Sequence, residues 1–164
     1  MHTMQSLRRL PRGWLALPVL VACATDPGPP DDPGSTQIPP RGADALPWLA
    51  RGDYLRWRCE PAPHAPRSPS PHGTTRTCVN DALAGAPAGA DPYPVGAATV
   101  KEAYDGTAII AYAIARKLSE GAGGGTWYWF ESARGQVAAS GAGLPGCTGC
   151  HAQAARDLVF TAPP

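Results

Sequence analysis

Residues 98–115 read ATVKEAYDGTAIIAYAIA, and this stretch decides the fold. Asp105-Gly106 is a strong signal for a β-hairpin, because a two-residue loop needs residues that tolerate a positive φ. The two arms, Ala98–Tyr104 and Thr107–Ala115, are therefore predicted to be antiparallel strands. A helix in the second arm stays open as an alternative, since apolar side chains also recur there at helical spacing, at Ile110, Ile114 and Leu118.

Other segments add elements to this hairpin. The apolar pattern of Ala45–Trp57 predicts one or two short helices broken at Gly52. The segment CTGCHAQAARDL, residues 147–158, has helix-forming composition. Three more short strands are predicted, over Arg76–Val79, Thr126–Ser132 and Val159–Thr161. The fold class is then α+β, a predominantly antiparallel β-sheet with short N-terminal helices and a C-terminal helix.

The predicted C-terminal helix begins with Cys147-Thr148-Gly149-Cys150-His151, a CxxCH pentapeptide. In an exported protein this motif attaches c-type haem: each thiol forms a thioether to a porphyrin vinyl group, and the histidine becomes an axial iron ligand. In a reducing cytosol the same residues indicate half of a zinc site or a redox dithiol. The compartment decides between these interpretations.

The N-terminus predicts export. Three arginines before residue 13 and the apolar run Trp14–Ala22 are typical of a signal peptide, here over residues 1–22. The tetrad LVAC at residues 20–23 looks like a lipobox, whose cysteine, Cys23, is lipidated and becomes the first mature residue; a cysteine ending a buried helix is the alternative. Residues 23–42 are rich in Pro, Gly and Asp and predict a tether. We therefore expect a bacterial lipoprotein, anchored to a membrane and facing the periplasm or the cell exterior.

The remaining residues, 43–164, are enough for one domain, which the motif makes a candidate haem c domain. The net charge of +1, with no basic run after the signal peptide, argues against a nucleic-acid partner. The five cysteines divide without remainder once lipid and haem have taken three of them. Cys59 and Cys78 are left as a disulfide that closes a proline-rich loop, worth about 3 kcal/mol; two free thiols are the alternative.

The positions of the methionines limit which residues could be the second ligand of the iron. Electron-carrier cytochromes c place CxxCH near the start of a helical domain and supply a later methionine as the second axial ligand. Here the motif lies near the end, and the only methionines, Met1 and Met4, belong to the predicted signal peptide. Four-helix-bundle cytochromes do carry a C-terminal CxxCH, but this hairpin-containing chain does not suit a bundle.

The residues resemble a third group, the P-460 cytochromes and the related cytochromes c′-beta, which are β-rich domains with the haem motif near the C-terminus. Four sets of residues carry the resemblance: Pro71-His72-Gly73 with Arg76 and Asn80-Asp81; Tyr93-Pro94-Val95-Gly96 before Val100-Lys101-Glu102; Trp127-Tyr128-Trp129-Phe130-Glu131; and CTGCHA followed by Asp157-Leu158-Val159-Phe160. The insertion at Pro61–Ser70 and the glycine run before Trp127 depart from the family pattern.

The resemblance implies a five-coordinate haem with His151 as proximal ligand and an open distal face. In the cytochromes c′-beta that face binds nitric oxide; in the P-460 enzymes hydroxylamine is oxidised, and a lysine is bonded to the porphyrin. This chain has two lysines, Lys101 and Lys117. If both hairpin arms are strands, Lys101 shares a face with small residues that would receive a flat macrocycle, Thr99, Ala103, Ala111, Ala113 and Ala115. A solvated strand lysine is the alternative.

Several other side chains are candidates for the same site. His72 is a candidate sixth ligand or proton donor, and Glu131 and Glu102 are candidate bases for oxidising a nitrogen hydride. Arg76 is a candidate partner for a haem propionate. The plainer interpretations are a turn histidine, surface carboxylates and a surface arginine. His64 lies among prolines and is predicted to be exposed. Three aromatic residues are predicted to lie in the core, and the alternative is that they form a wall on the distal side of the haem. They are Trp127, Trp129 and Phe130.

Three functional classes follow. The first is an oxidoreductase or gas-handling haem protein that acts on nitric oxide, hydroxylamine or peroxide at a vacant iron position. The second is an electron-transfer or sensory module in which His72, His64 or a lysine fills the sixth position. The third is a structural lipoprotein with a haem remnant. Methionine usage and the resemblance favour the first, with a small nitrogen ligand, a redox protein such as another cytochrome c, and the membrane as partners; a homodimer is compatible with the sequence.

Overall fold

A computed structural model gives the structure of residues 36–67 and 70–161. The predicted signal peptide and Cys23 lie outside these residues. Within them, no helix is both long and apolar enough to cross a membrane.

The central element is a six-stranded antiparallel sheet whose strands lie side by side in chain order. The strands are β1 (Arg58–Cys59), β2 (Thr74–Val79), β3 (Ala98–Asp105), β4 (Ala108–Lys117), β5 (Trp127–Ala133) and β6 (Gln136–Ala142). Sequential neighbours pair throughout, so every connection is local. The predicted α+β class with an antiparallel sheet is confirmed.

Short helices flank the sheet. The three α-helices are α1 (Ala45–Ala50), α2 (Asp81–Ala84) and α3 (Pro145–His151), and 3₁₀ turns occupy Gly42–Asp44, Asp53–Arg56 and Gly124–Thr126. Gly52, with φ of +69°, separates α1 from the following 3₁₀ turn, which confirms the predicted break. Asn80 caps α2, because its side-chain oxygen accepts the N–H of Leu83 at 3.1 Å.

The quoted stretch forms the predicted hairpin, and the helical alternative for its second arm is wrong. The loop lies one residue later than predicted, at Gly106-Thr107, because Asp105 pairs with Ala108. Gly106 has φ of +58° at the first central position, which a type II′ turn reserves for glycine.

The C-terminal segment departs from the prediction. The helix ends at His151 instead of continuing to residue 158, and Val159–Thr161 form no strand. The reason is that the chain turns to bury Asp157, whose carboxylate accepts a hydrogen bond from the Lys117 ammonium at 2.7 Å. The N–H of Val159 then closes a turn on the carbonyl of Arg156 at 2.8 Å.

The alternation of side chains along the strands divides the core into two layers. In the first layer, one sheet face packs on the N-terminal helices, and its buried members include Cys78, Val100, Ile114 and Phe130 against Trp48, Leu49, Tyr54 and Trp57. In the second layer, the opposite face packs on α2 and the C-terminal segment, and its buried members include Val79, Ala115, Trp127 and Trp129 with Leu83, Tyr93 and Val159. The N-terminal helices and α3 thus lie on opposite sides of the sheet.

A buried carboxylate, that of Glu102, lies in the first layer. It accepts hydrogen bonds from the hydroxyls of Tyr54 and Tyr104, each at 2.5 Å, and from Nε and Nη2 of Arg76 at 2.7 and 2.9 Å. Burial alone would raise the pKa of Glu102, but the hydrogen bonds from Arg76 and the two tyrosines outweigh it and hold the pKa below its usual value.

The chain immediately before the first helix is bound to the domain. Asn80 Nδ2 donates to the carbonyl of Gln37 at 2.8 Å, and Arg116 Nη1 donates to the carbonyl of Pro39 at 2.9 Å. Residues 36–42, which the sequence assigned to the tether, therefore pack on the domain.

Cys59 and Cys78 form a disulfide bond. They lie directly opposite each other in the pairing of β1 with β2, which brings the two sulfur atoms together. The bond closes the base of the proline-rich loop, and Cys78 is fully buried in the first layer.

We expect Glu102→Gln to lower the free energy of unfolding by about 2 to 3 kcal/mol, because Arg76 would lose its charged partner in a buried site. Urea denaturation at pH 7 measures the change. Glu120→Gln makes the same chemical change at an exposed residue and should cost less than about 0.5 kcal/mol. Equal stabilities of the two variants would contradict this account of the first layer.

Candidate functional site

A cavity of about 860 Å³ lies between the second sheet face and α3. One wall is the sheet, the opposite wall includes Cys147, Cys150 and His151, and the rim includes His64 and His72. The volume is within the range of about 300–1,000 Å³ that ligand pockets occupy. The CxxCH motif therefore faces a cavity of ligand size.

Small side chains make the room in this cavity. Lys101 pairs with Thr77 on one side and Ala113 on the other, and Ala113 pairs in turn with Glu131, so these residues form one row across the sheet. Lys101 was predicted to share a face of the sheet with five small residues, and this prediction is confirmed. All six residues line the cavity: Thr99, Lys101, Ala103, Ala111, Ala113 and Ala115. Since an alanine extends one carbon above the sheet, the four alanines of this set leave room beside Lys101.

Two polar side chains on the sheet wall add little polarity to it. Thr77 Oγ1 and Trp129 Nε1 are covered by neighbouring atoms and have no hydrogen-bond partner among the described residues. The threonine and the tryptophan therefore line the cavity mainly with apolar atoms, which suits a flat apolar ligand.

His151 is held by its Nδ1 atom, which lies 2.6 Å from the carbonyl oxygen of Leu158. Its ring packs between two aromatic rings, with centroids 4.6 Å from Trp129 and 5.3 Å from Phe160. Burial lowers the pKa of His151, so the neutral ring is favoured. A neutral ring that donates from Nδ1 keeps the lone pair of Nε2 for an electrophile or a metal.

The two cysteines of the motif are free thiols on α3 and both line the cavity. Three residues apart on a helix, they lie on neighbouring positions of one face. Burial raises the pKa of the Cys147 thiol. The glycine run supports this helix: a side chain at Gly124 would come within 2.6 Å of Thr148, so only glycine allows this close approach.

The two lysines have different environments. Lys117 is fully buried and donates to the carboxylate of Asp157, the carbonyl of Gly121 and the hydroxyl of Thr126, at 2.7, 2.6 and 2.9 Å. Lys101 is half-buried in the cavity, and its ammonium makes no hydrogen bond or ion pair within the described part of the chain. Burial lowers the pKa of Lys101. Lys101, and not Lys117, is therefore the lysine available to a ligand in the cavity.

His72 and Glu131 meet at the cavity, with His72 Nδ1 3.9 Å from Glu131 Oε1. Burial, followed by electrostatic interaction with Lys101 and His151, lowers the pKa of His72 to about 4. The ring is neutral at pH 7, so it can accept a proton or offer a lone pair.

His64 is half-buried and bound, not exposed as predicted. Its Nε2 lies 3.2 Å from Oε2 of Glu60, which also accepts the N–H of Thr77 at 2.7 Å. The other oxygen of that carboxylate, Oε1, lies 2.7 Å from the Arg67 guanidinium. Burial would raise the pKa of Glu60, but these partners lower it. The disulfide-closed loop is thereby fastened to the rim of the cavity.

Arg76 and Glu102 are not brought to the cavity. Even-numbered positions of β2 and β3 face the first layer, where these two residues bind each other. Neither side chain therefore lines this cavity, which lies across the sheet, and their predicted roles in propionate binding and proton transfer gain no support from it.

The sequence did not single out three residues that shape the site. Asp157 fixes the segment after α3, Arg67 reaches the rim, and Phe160 packs on His151. Asp157 and Phe160 appeared only as parts of a resembling motif. Pairing of Asp157 with Lys117, 40 residues away, leaves no local pattern in the chain.

Among the described residues, no group of three or more His, Cys, Asp or Glu side chains is arranged to hold a metal ion. Comparison of the chain with protein-family models, with curated proteins and with solved structures finds no match.

We expect His72 in the isolated chain to titrate near pH 4 in NMR spectra, and Lys101→Met to move that midpoint upward by removing a nearby positive charge. Because the unfolded chain binds this proton at its ordinary pKa of about 6.5, the folded state loses stability as the pH falls from about 6.5 to 4. His72→Gln should remove that part of the pH dependence. A His72 midpoint near 6.5 would contradict the burial of this ring.

Proposed function

We propose that the chain is a c-type haem protein, of the kind found in the P-460 cytochromes and cytochromes c′-beta, that binds or oxidises small nitrogen species such as nitric oxide or hydroxylamine. The observation that carries the proposal is the position of CTGCH: both thiols and His151 line a cavity of about 860 Å³ together with a largely apolar, alanine-rich sheet wall.

The residues fit such a group. Cys147 and Cys150 are unpaired and on one helix face, as two thioether bonds require. His151 is neutral and donates from Nδ1 to the carbonyl of Leu158, which is how protein carbonyls orient axial histidines. The alanines opposite leave space for a planar macrocycle.

When bound, haem would supply an iron with a vacant position for a small ligand and with two accessible oxidation states. The chain's own residues would bind the haem, orient it and exchange protons with the small ligand. Nε2 of His151 would bind the iron, and Cys147 and Cys150 would hold the group through thioether bonds. Glu131 Oε1 and His72 Nδ1 line the same cavity and would take up protons released from a nitrogen hydride. Lys101 is the lysine that would bond to the porphyrin.

Export and lipidation at Cys23 belong to the proposal. The disulfide between Cys59 and Cys78 supports it, because such bonds persist in oxidising compartments. A lipid on Cys23 would anchor the domain to a membrane, and a redox protein such as another cytochrome c would exchange electrons with it.

A six-coordinate electron-transfer or sensory module is the second candidate. The neutral ring of His72 in the same cavity favours it, because a neutral imidazole is a good iron ligand.

We expect protein matured with haem c to show a high-spin, five-coordinate ferrous spectrum that shifts on addition of nitric oxide. A low-spin spectrum that nitric oxide leaves unchanged would overturn the first candidate; its conversion to high spin by His72→Gln would establish the second.

Covalent attachment is tested with two matched cysteine pairs. We expect Cys147→Ala/Cys150→Ala to lose all haem on acidified-acetone extraction, because no thioether can form. Cys59→Ala/Cys78→Ala removes the pair on the other side of the sheet and should retain the haem. Covalent haem in the first variant would contradict the proposed attachment.

Bonding of Lys101 to the porphyrin would replace one N–H of the lysine and one C–H of the macrocycle by a C–N bond, with two electrons and two protons passing to a peroxide oxidant. The bond would appear as a strongly red-shifted ferrous Soret band and as a mass lower by two hydrogen atoms than that of the thioether-linked protein. We expect both signatures to disappear in Lys101→Ala and in Lys101→Arg, which keeps the charge but lacks a primary amine. An ordinary Soret position in the unmodified protein would leave simple ligand binding as the activity.

A further inference from the structure

The segment after α3 is fixed by a buried ion pair. Asp157 and Lys117 have side chains with no exposed surface, and Oδ2 of Asp157 lies 2.7 Å from Nζ of Lys117. The same carboxylate accepts the backbone N–H of Tyr93 at 2.9 Å and the indole N–H of Trp127 at 3.1 Å. Partners from three separate segments of the chain therefore converge on one carboxylate.

The backbone at this carboxylate is in an unfavourable conformation. Asp157 has φ of +34° and Leu158 has φ of +66°, a region that residues with a Cβ rarely adopt. Such conformations persist only where surrounding contacts impose them, and they recur at functional sites. Here the turn brings the carbonyl oxygen of Leu158 to within 2.6 Å of Nδ1 of His151.

We propose that Asp157 and Lys117 are positioning residues that hold the Leu158 carbonyl on His151, and thereby set the tautomer and the basicity of the ligand Nε2 atom. A carbonyl that accepts the Nδ1 proton keeps that proton on Nδ1 and increases the electron density at Nε2. The inference rests on the proposed haem attachment for its effect on iron, whereas the tautomer is a property of the chain alone.

The tautomer of His151 is measured in the full chain without haem, from the ¹⁵N chemical shifts of the imidazole, assigned by their loss in His151→Gln. We expect the Nδ1-protonated form to predominate. In Asp157→Asn the ratio of Nδ1-protonated to Nε2-protonated ring should fall about fivefold, as loss of one hydrogen bond implies. Lys117→Met should have the same direction of effect, and Lys117→Arg should restore the ratio.

Glu102→Gln is the matched control, because it disrupts a buried ion pair in the first layer, away from α3. It should lower stability without changing the tautomer ratio. An unchanged ratio in Asp157→Asn, or an equal fall in Glu102→Gln, would overturn the inference.

A glycine at position 158 tests whether Asp157 acts on His151 through the backbone conformation of residue 158. Glycine adopts φ of +66° without strain, so Asp157→Asn/Leu158→Gly should fold and recover the ratio to within about twofold. This variant also keeps the test decisive if Asp157→Asn alone fails to fold. A ratio that stays low in the folded double variant would overturn the proposed route.

In the haem-loaded protein, the iron–histidine stretching band in resonance Raman spectra should shift to lower frequency in Asp157→Asn and Lys117→Met but not in Glu102→Gln. Absence of haem after maturation would overturn the proposed function and leave the imidazole measurement to decide the positioning role. A band that stays in place in all three variants would overturn the effect on the iron ligand.

Discussion

Successive side chains of a β-strand point to opposite sides of the sheet, and this constraint organises the whole molecule. In β3 it sends Glu102 into the layer with the N-terminal helices and Lys101 into the cavity beside α3. A shift of one residue in register would exchange these two environments. The ion pair of the first layer and the small-residue wall of the second therefore depend on a single register.

The second layer also depends on one long-range contact. The Asp157 carboxylate, which binds the Lys117 ammonium and also accepts from Tyr93 and Trp127, holds the turn that follows α3. That turn brings Leu158 and Phe160 against His151. The histidine of the motif is thus positioned by residues from β4 and from the C-terminal segment, and not by its own helix alone.

Local patterns predicted much of the fold. The hairpin of β3 and β4, the aromatic strand β5 and the break at Gly52 all have short-range signals, of turn chemistry or of side-chain period. β6 was missed because QVAASGA, with its small residues, has little β propensity and forms a strand only by pairing with β5.

The site was predictable where chemistry is encoded in adjacent residues. The motif at Cys147–His151 and the small-residue face around Lys101 could be predicted, the latter from strand alternation alone. Arg76 and Glu102 were assigned to the site for their chemistry, a guanidinium for a propionate and a carboxylate for a proton, yet their even positions in the strands send them to the other layer. The aspartate that holds the C-terminal turn pairs far along the chain, and no sequence window contains both partners.

The sheet also separates the four cysteines of the described residues into two pairs, one joined as a disulfide and one left as free thiols. Cys59 and Cys78 face each other across adjacent strands, on the side of the N-terminal helices, where register alone selects the partner. Cys147 and Cys150 lie on the other side, with the sheet as a partition between the pairs. In an oxidising compartment, where any two thiols can be joined, a folded sheet makes the crossed pairings sterically inaccessible.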